Sequence, residues 1–223
     1  MGPVLGGLLP LAVGVAISPV PIIATILMLL APRAGRTSAG FLLGWVGGIV
    51  VVTTIFTLLA SAVGLGPSEG SASGISWVRL LVGLSLVALS VRQWRSRPPN
   101  GDTGALPTWM TSIEQFTFGK AAGLAFLLAA VNPKNLLLCA AAGTAIGSGS
   151  LTGGQRVVAV VLYTVVAACT VAGPVVAYAF AAPRMRAPLD DLKGWLQDNN
   201  TTVMAVLLLV FGVVLTGQGL GAL

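Results

Sequence analysis

Residues 119–146 read GKAAGLAFLLAAVNPKNLLLCAAAGTAI, an apolar run interrupted at its centre by Asn132-Pro133-Lys134-Asn135. Lys134 has roughly a dozen uncharged, mostly apolar residues on either side, which puts it near the mid-depth of a bilayer. A lysine there costs about 2.5–3.5 kcal/mol on insertion scales, so an idle one is not expected. Pro133 stops a helix at the same point, because its ring removes an N–H and clashes with the carbonyl four residues back. A broken helix carrying a buried cation between two amides reads as a binding site.

The rest of the chain suits that setting. It has 223 residues, 56% hydrophobic and only 8% charged, with a mean hydropathy of +0.95. Soluble domains carry about 25% charged residues, so the balance indicates an integral membrane protein. The net charge of +6 does not indicate nucleic acid, since the basic residues lie between apolar runs and form no single patch with interleaved aromatics. There is no histidine, which argues against a metal, a haem and histidine-based acid–base chemistry. No cofactor is expected. The two cysteines, Cys139 and Cys169, fall inside apolar segments and read as buried free thiols. The first apolar run has no basic residues before it and no small-residue cleavage site, so it reads as a span and not as a signal peptide.

Six apolar segments are long enough to cross a bilayer, at about 4–31, 37–63, 75–94, 119–146, 156–182 and 201–220. The expected architecture is therefore all-α, a single transmembrane domain over 1–223. Its first half runs over 1–95 and its second over 119–223, with a loop at 96–118 between them. Arg33 and Arg36 lie in the first connection, Arg95 and Arg97 in the third, flanked by Arg92 and Lys120, and Arg184, Arg186 and Lys193 in the fifth. The second connection holds Glu69 and the fourth only Arg156 at its edge. The positive-inside rule then expects the odd connections in the cytoplasm and both termini outside.

Two of the cytoplasmic connections carry amphipathic patterns. Thr111 and Glu114 have capping-box spacing, and Trp109, Ile113 and Phe116 share one helical face. Leu189, Leu192, Trp195 and Leu196 do the same in the fifth connection, with Asp190, Asp191 and Lys193 opposite. Both fit short helices lying in the interface. Gly40, Gly44 and Gly48, Gly143 with Gly147, and Gly217 with Gly221 have the spacing of close helix packing, within the chain or across a dimer.

Prolines reveal a repeat. The first span carries Ser18-Pro19-Val20-Pro21 near its middle, and the fourth carries Asn132-Pro133. Each span is about 28 residues, roughly 42 Å of unbroken helix against a core of about 30 Å, so a central break fits both. Pro19 and Pro133 are 114 positions apart, and the second and fifth spans start 119 apart. Three spans per half is an odd number, so the halves insert in opposite senses, the plan of two inverted three-helix repeats with broken first and fourth helices. Pro19, Pro21 and Pro133 set the breaks. The carbonyls they free at membrane depth are tolerated only inside protein or beside water.

The acidic residues all fall in connections, so no carboxylate in a span neutralises Lys134. Backbone carbonyls, a polar cavity, release of its proton or an anionic ligand are the ways to accommodate it. An anionic or strongly polar head group fits best, with Asn132, Asn135 and Ser18 supplying hydrogen bonds. Transmembrane thiol–disulfide exchange would want a cysteine at each break, whereas position 18 is serine and Cys139 lies beyond Pro133. Enzymatic chemistry within the membrane would want a carboxylate or histidine in a span, and the chain is not expected to be an enzyme.

At these residues the chain resembles a known group. Pro19-Val20-Pro21 and Asn132-Pro133-Lys134 look like the Pro-Gly-Pro and Asn-Pro-Lys signatures of the LysE superfamily of exporters. Ala16-Ile17-Ser18-Pro19-Val20-Pro21-Ile22-Ile23 and Pro107-Thr108-Trp109-Met110 resemble more closely the GAP family of glycolipid- and sulfolipid-addressing proteins. The likeness covers nearly the whole chain. Val20 stands where amino-acid exporters have glycine, which counts against amino-acid export. The resemblance implies export of cell-envelope glycolipids or related lipids across the plasma (inner) membrane, in company with lipid synthesis and export machinery, and a homodimer as an option. The alternatives are an exporter of a small polar solute such as an amino acid, and a non-transporting scaffold of a lipid-export complex.

Overall fold

The computed structural model describes residues 1–63, 69–96, 113 and 116–221, with backbone alone for 69–75, 182 and 183. The described residues are almost entirely helical: α1 Gly2–Ala16, α2 Pro19–Leu30, α3 Ala34–Ala62, α4 Glu69–Arg95, α5 Phe118–Ala130 and α6 Pro133–Ser148. They are followed by α7 Gly153–Ala181 and α8 Arg184–Leu220. Backbone angles at Ala181 (φ −141°, ψ 36°) break the path between the last two.

Three of these helices, α3, α7 and α8, are each long and apolar enough to cross a membrane, and counting each bent pair as one span raises the number to five. The helix α4, which contains the third sequence segment, is not among them. Their outward faces carry large apolar side chains such as Leu43, Leu58, Val161, Val165 and Val213, all exposed. Such faces suit lipid and not water. The fold is that of an all-helical membrane protein.

Both breaks expected from the prolines are present. α1 and α2 meet at a bend of 54°, α5 and α6 at 67°. The local cause is the residue before each proline, which proline hydrogens push out of the helical region. Ser18 sits at φ −116°, ψ 101° and Asn132 at φ −62°, ψ 118°. Pro19 and Pro133 then open new helices at the first position, where a missing N–H is harmless. Pro21 lies in the same first turn, and the first bond of α2 is made by Ile22 to the Ser18 carbonyl. Each half thus begins with a bent pair, followed by a long helix and then another.

Glycine spacing resolves in favour of packing within the chain. A Cβ at Gly40 would lie 2.5 Å from the Phe118 carbonyl, and one at Gly44 would fall on the carbonyl of Ala122. Gly143 and Gly147 place α6 equally close to the Thr53 and Thr57 carbonyls of α3. Gly217, by contrast, has nothing within 4 Å. Gly44→Val should therefore force α3 and α5 apart and destabilise the fold by about 1–3 kcal/mol. Denaturant titration of the detergent-solubilised variant would measure this, and unchanged stability would mean the two backbones are not in contact.

The amphipathic stretch of the fifth connection is not a separate interfacial helix. It forms the first turns of α8, continuous with the last span. Leu189 and Leu196, seven residues apart, are buried, whereas Leu192 and Trp195 are exposed. Lys193 pairs with Asp190 on that segment. Of the third connection's pattern, Thr111, Trp109 and Glu114 lie outside the described residues, as does the 107–110 motif. Ile113 is buried and Phe116 packs against the core.

Candidate functional site

The two breaks face each other. Lys134 is the second residue of α6, and its side chain crosses to the end of α1. There Nζ donates to the Gly14 carbonyl at 2.8 Å and to the Ile17 carbonyl at 2.9 Å. In an unbroken helix Gly14 would receive the N–H of residue 18, but Ser18 N–H instead reaches the Ala16 carbonyl at 2.9 Å. Lys134 thus replaces a helix partner lost at the break. It also places a cation at a helix C-terminus, the end at which the dipole favours positive charge.

Asn135 does the matching work on its own half. Its Nδ2 donates to the Leu128 carbonyl at 3.1 Å, the acceptor left over where α5 stops. Its Oδ1 accepts from the Ser18 hydroxyl at 3.1 Å, across 117 residues of sequence. Ser18 is the N-cap of α2, yet its hydroxyl makes no capping bond and is spent on this contact between the two breaks. Asn132 caps α6 through Oδ1, which accepts the Lys134 N–H at 3.1 Å. From α7, the Thr170 hydroxyl donates to the Ala16 carbonyl at 2.6 Å. Lys134 and Ser18 are 2% exposed and Asn135 is fully buried, so these bonds are made away from solvent.

All four residues singled out in the sequence therefore meet in one place. Thr170 joins them, a contribution that nothing in its apolar surroundings announces. The carbonyls of Gly14, Ala16, Ile17 and Leu128 at the breaks are thus satisfied inside protein, as membrane depth requires. Lys134 uses two of its three N–H donors on the backbone, leaving one.

Beside this junction lies a cavity of about 390 Å³, lined by Asn132, Pro133 and Lys134, by Leu89, Arg92 and Gln93 of α4 and Ser96 just after it, and by Met204 and Leu208 of α8. Among the described residues its lining holds two cations, two carboxamides and a hydroxyl, and no carboxylate. Among the described residues the one ion pair is Lys193 with Asp190, far along the chain from Arg92. A guanidinium can fork onto the oxygens of a sulfate, phosphate or carboxylate, and amides and hydroxyls complete the shell. Arg92, Gln93 and Ser96 were not among the sequence candidates. In the sequence Arg92 reads as an orientation residue, and the run Arg92-Gln93…Ser96 at the end of a span is the available signal.

The two thiols are free and apart in role. Cys139 is buried in α6 and accepts from the Tyr163 hydroxyl at 3.6 Å, while Cys169 is exposed on α7. Neither stands at a break.

Residues 8–221 match a protein family described as Sap, sulfolipid-1-addressing protein. No curated protein and no solved structure is significantly similar to the chain.

Proposed function

Because the chain belongs to the sulfolipid-1-addressing protein family, we propose that it exports a lipid with an anionic polar head group across the plasma membrane towards the cell envelope. The carrying observation is the cavity beside the Asn132-Pro133 break, with Arg92 and Lys134 in its wall and, among the described residues, no carboxylate to neutralise them. Arg92, Gln93 and Ser96 hold the head group. Lys134, Asn132, Asn135 and Ser18 set the geometry of the junction, and Lys134 offers its remaining N–H to the ligand. Six spans arranged as two inverted repeats carry this site, with both termini outside and the Arg92 end of α4 in the cytoplasm.

A lipid is favoured over a small solute by the outer surface of the same helix pair. There an apolar groove of about 290 Å³ runs between α4 and α8 along Val91, Trp94, Val206 and Leu209, with Arg95 at its edge. A head group in the cavity and chains along such a groove need no aqueous enclosure for the acyl part.

Proteoliposomes loaded with a labelled sulfated glycolipid test this. Arg92→Gln should lower export about ten-fold or more, the equivalent of losing one charge-assisted hydrogen bond, and leave stability unchanged. Export equal to the original chain's would overturn the assignment. A protein inert alone that co-purifies with a larger transporter would instead make it a scaffold of an export complex.

A further inference from the structure

A second polar cavity, of about 200 Å³, lies at the other end of the same helix interface. Arg79 of α4 and Gln218 of α8 enter it, beside Pro3 and Gly7 of α1 and Ala141 and Ala145 of α6. Arg79 is half-buried, and among the described residues no carboxylate pairs with it. Arg79 and Arg92 are thirteen residues apart on α4, which is about 20 Å along the helix axis.

The two cavities share helix faces. On α6, Lys134 lines the first and Ala141 and Ala145 the second, all on one stripe, with Leu138 between them. On α8 the order is Leu208, then Phe211, then Leu215 and Gln218. On α4 it is Arg92 and Leu89, then Leu86, then Arg79. The intervening side chains are buried: Leu86 and Leu138 fully, Phe211 nearly so. Gly14 completes the layer, since a Cβ there would lie 2.9 Å from both Leu138 Cδ1 and Phe211 Cε2. One polar chamber, a set of buried apolar side chains and a second polar chamber therefore follow one another along these helices.

We infer that the Arg79–Gln218 cavity is a second binding station for an anionic head group, separated from the first by the seal of Leu86, Leu138 and Phe211. The inference rests on the export reading above and extends it: the head group leaves Arg92 and is received by Arg79 once the seal parts. Both chambers present a guanidinium and a carboxamide and, among the described residues, neither presents a carboxylate, so they select the same chemistry. A lone arginine anchoring a helix at the interface would need no matching carboxamide from another helix and no such layer.

Calorimetric titration of the full chain in uncharged detergent with glucose 6-sulfate tests it, with glucose as the uncharged comparison. Two equivalents should bind per chain. Arg79→Gln should weaken one of them about ten-fold or more and spare the other, Arg92→Gln should do the reverse, and the double variant should lose both. Two unaltered equivalents in Arg79→Gln would overturn the second station. A single equivalent in the original chain, dependent on Arg92, would overturn it too while leaving the export reading intact. No binding at all would remove both. If Arg79→Gln fails to give a monodisperse helical protein, Gln218→Leu replaces it and is read the same way.

Discussion

Lys134→Met is expected to loosen the junction of the two breaks by about 3–6 kcal/mol while making insertion of the α5–α6 segment easier. The two effects belong to different steps. A lysine at mid-depth costs about 2.5–3.5 kcal/mol to insert, but that cost is borne by the inserted helices whether or not they have packed, so it cancels from the assembly step. What remains is the loss of the bonds from Nζ to the Gly14 and Ile17 carbonyls. Hydrogen bonds to charged groups contribute about 1.5–3 kcal/mol each, and their loss leaves two acceptors with no water to turn to. Methionine fills the volume, so little cavity cost is added. Titration with a denaturing detergent would read the assembly step, and glycosylation mapping of the isolated span would read insertion. A Lys134→Met protein as resistant as the original would mean that the ammonium does not bridge the breaks. Transport separates the two cations further: Arg92→Gln should lose export with stability retained, whereas Lys134→Met should lose both.

The breaks were legible because proline acts locally. The residue before it is driven extended and the ring ends the preceding helix, so Ser18-Pro19 and Asn132-Pro133 needed no tertiary context. The partner of Lys134 was harder to read, since a backbone carbonyl has no residue type. Only the fold determines that Gly14 and Ile17 present theirs. The place of Arg92 in a cavity wall is hard to read for a related reason. A basic residue near a span end serves equally for orientation and for ligand binding, and it takes α8 passing beside it to make a cavity wall. The stretch from Arg184 to Asn200 looked like a connection because it holds Asp190, Asp191 and Lys193. Those residues are tolerable in a helix, however, and a helix that leaves the apolar layer has no physical reason to stop there. Glycine spacing allowed either packing or dimerisation. The nearness of the Ala122 and Thr57 carbonyls decides it for Gly44 and Gly147, and Gly217 remains uncommitted within the chain.

Asn135→Leu should destabilise the protein by about 2–4 kcal/mol, more than Ser18→Ala at about 0.5–1 kcal/mol. Asn135 is fully buried and holds two partners from different elements, the Ser18 hydroxyl and the Leu128 carbonyl. Leucine matches its size but leaves both partners unpaired, whereas alanine at position 18 removes a donor and leaves one lone pair of an amide oxygen idle. The double variant distinguishes a true bond between the two breaks from two independent losses. If the Ser18 hydroxyl and Asn135 Oδ1 interact, the two changes together cost less than their sum, by about 0.6–1.7 kcal/mol, the range for hydrogen-bonded pairs between membrane helices. Strict additivity would mean that the α1–α2 and α5–α6 pairs are held together only by Lys134 and packing. The residual cost in the double variant would then be the Leu128 carbonyl, an acceptor that Asn135 reaches within its own half. An amide is suited to this position because it both donates and accepts, and the two breaks offer one group of each kind.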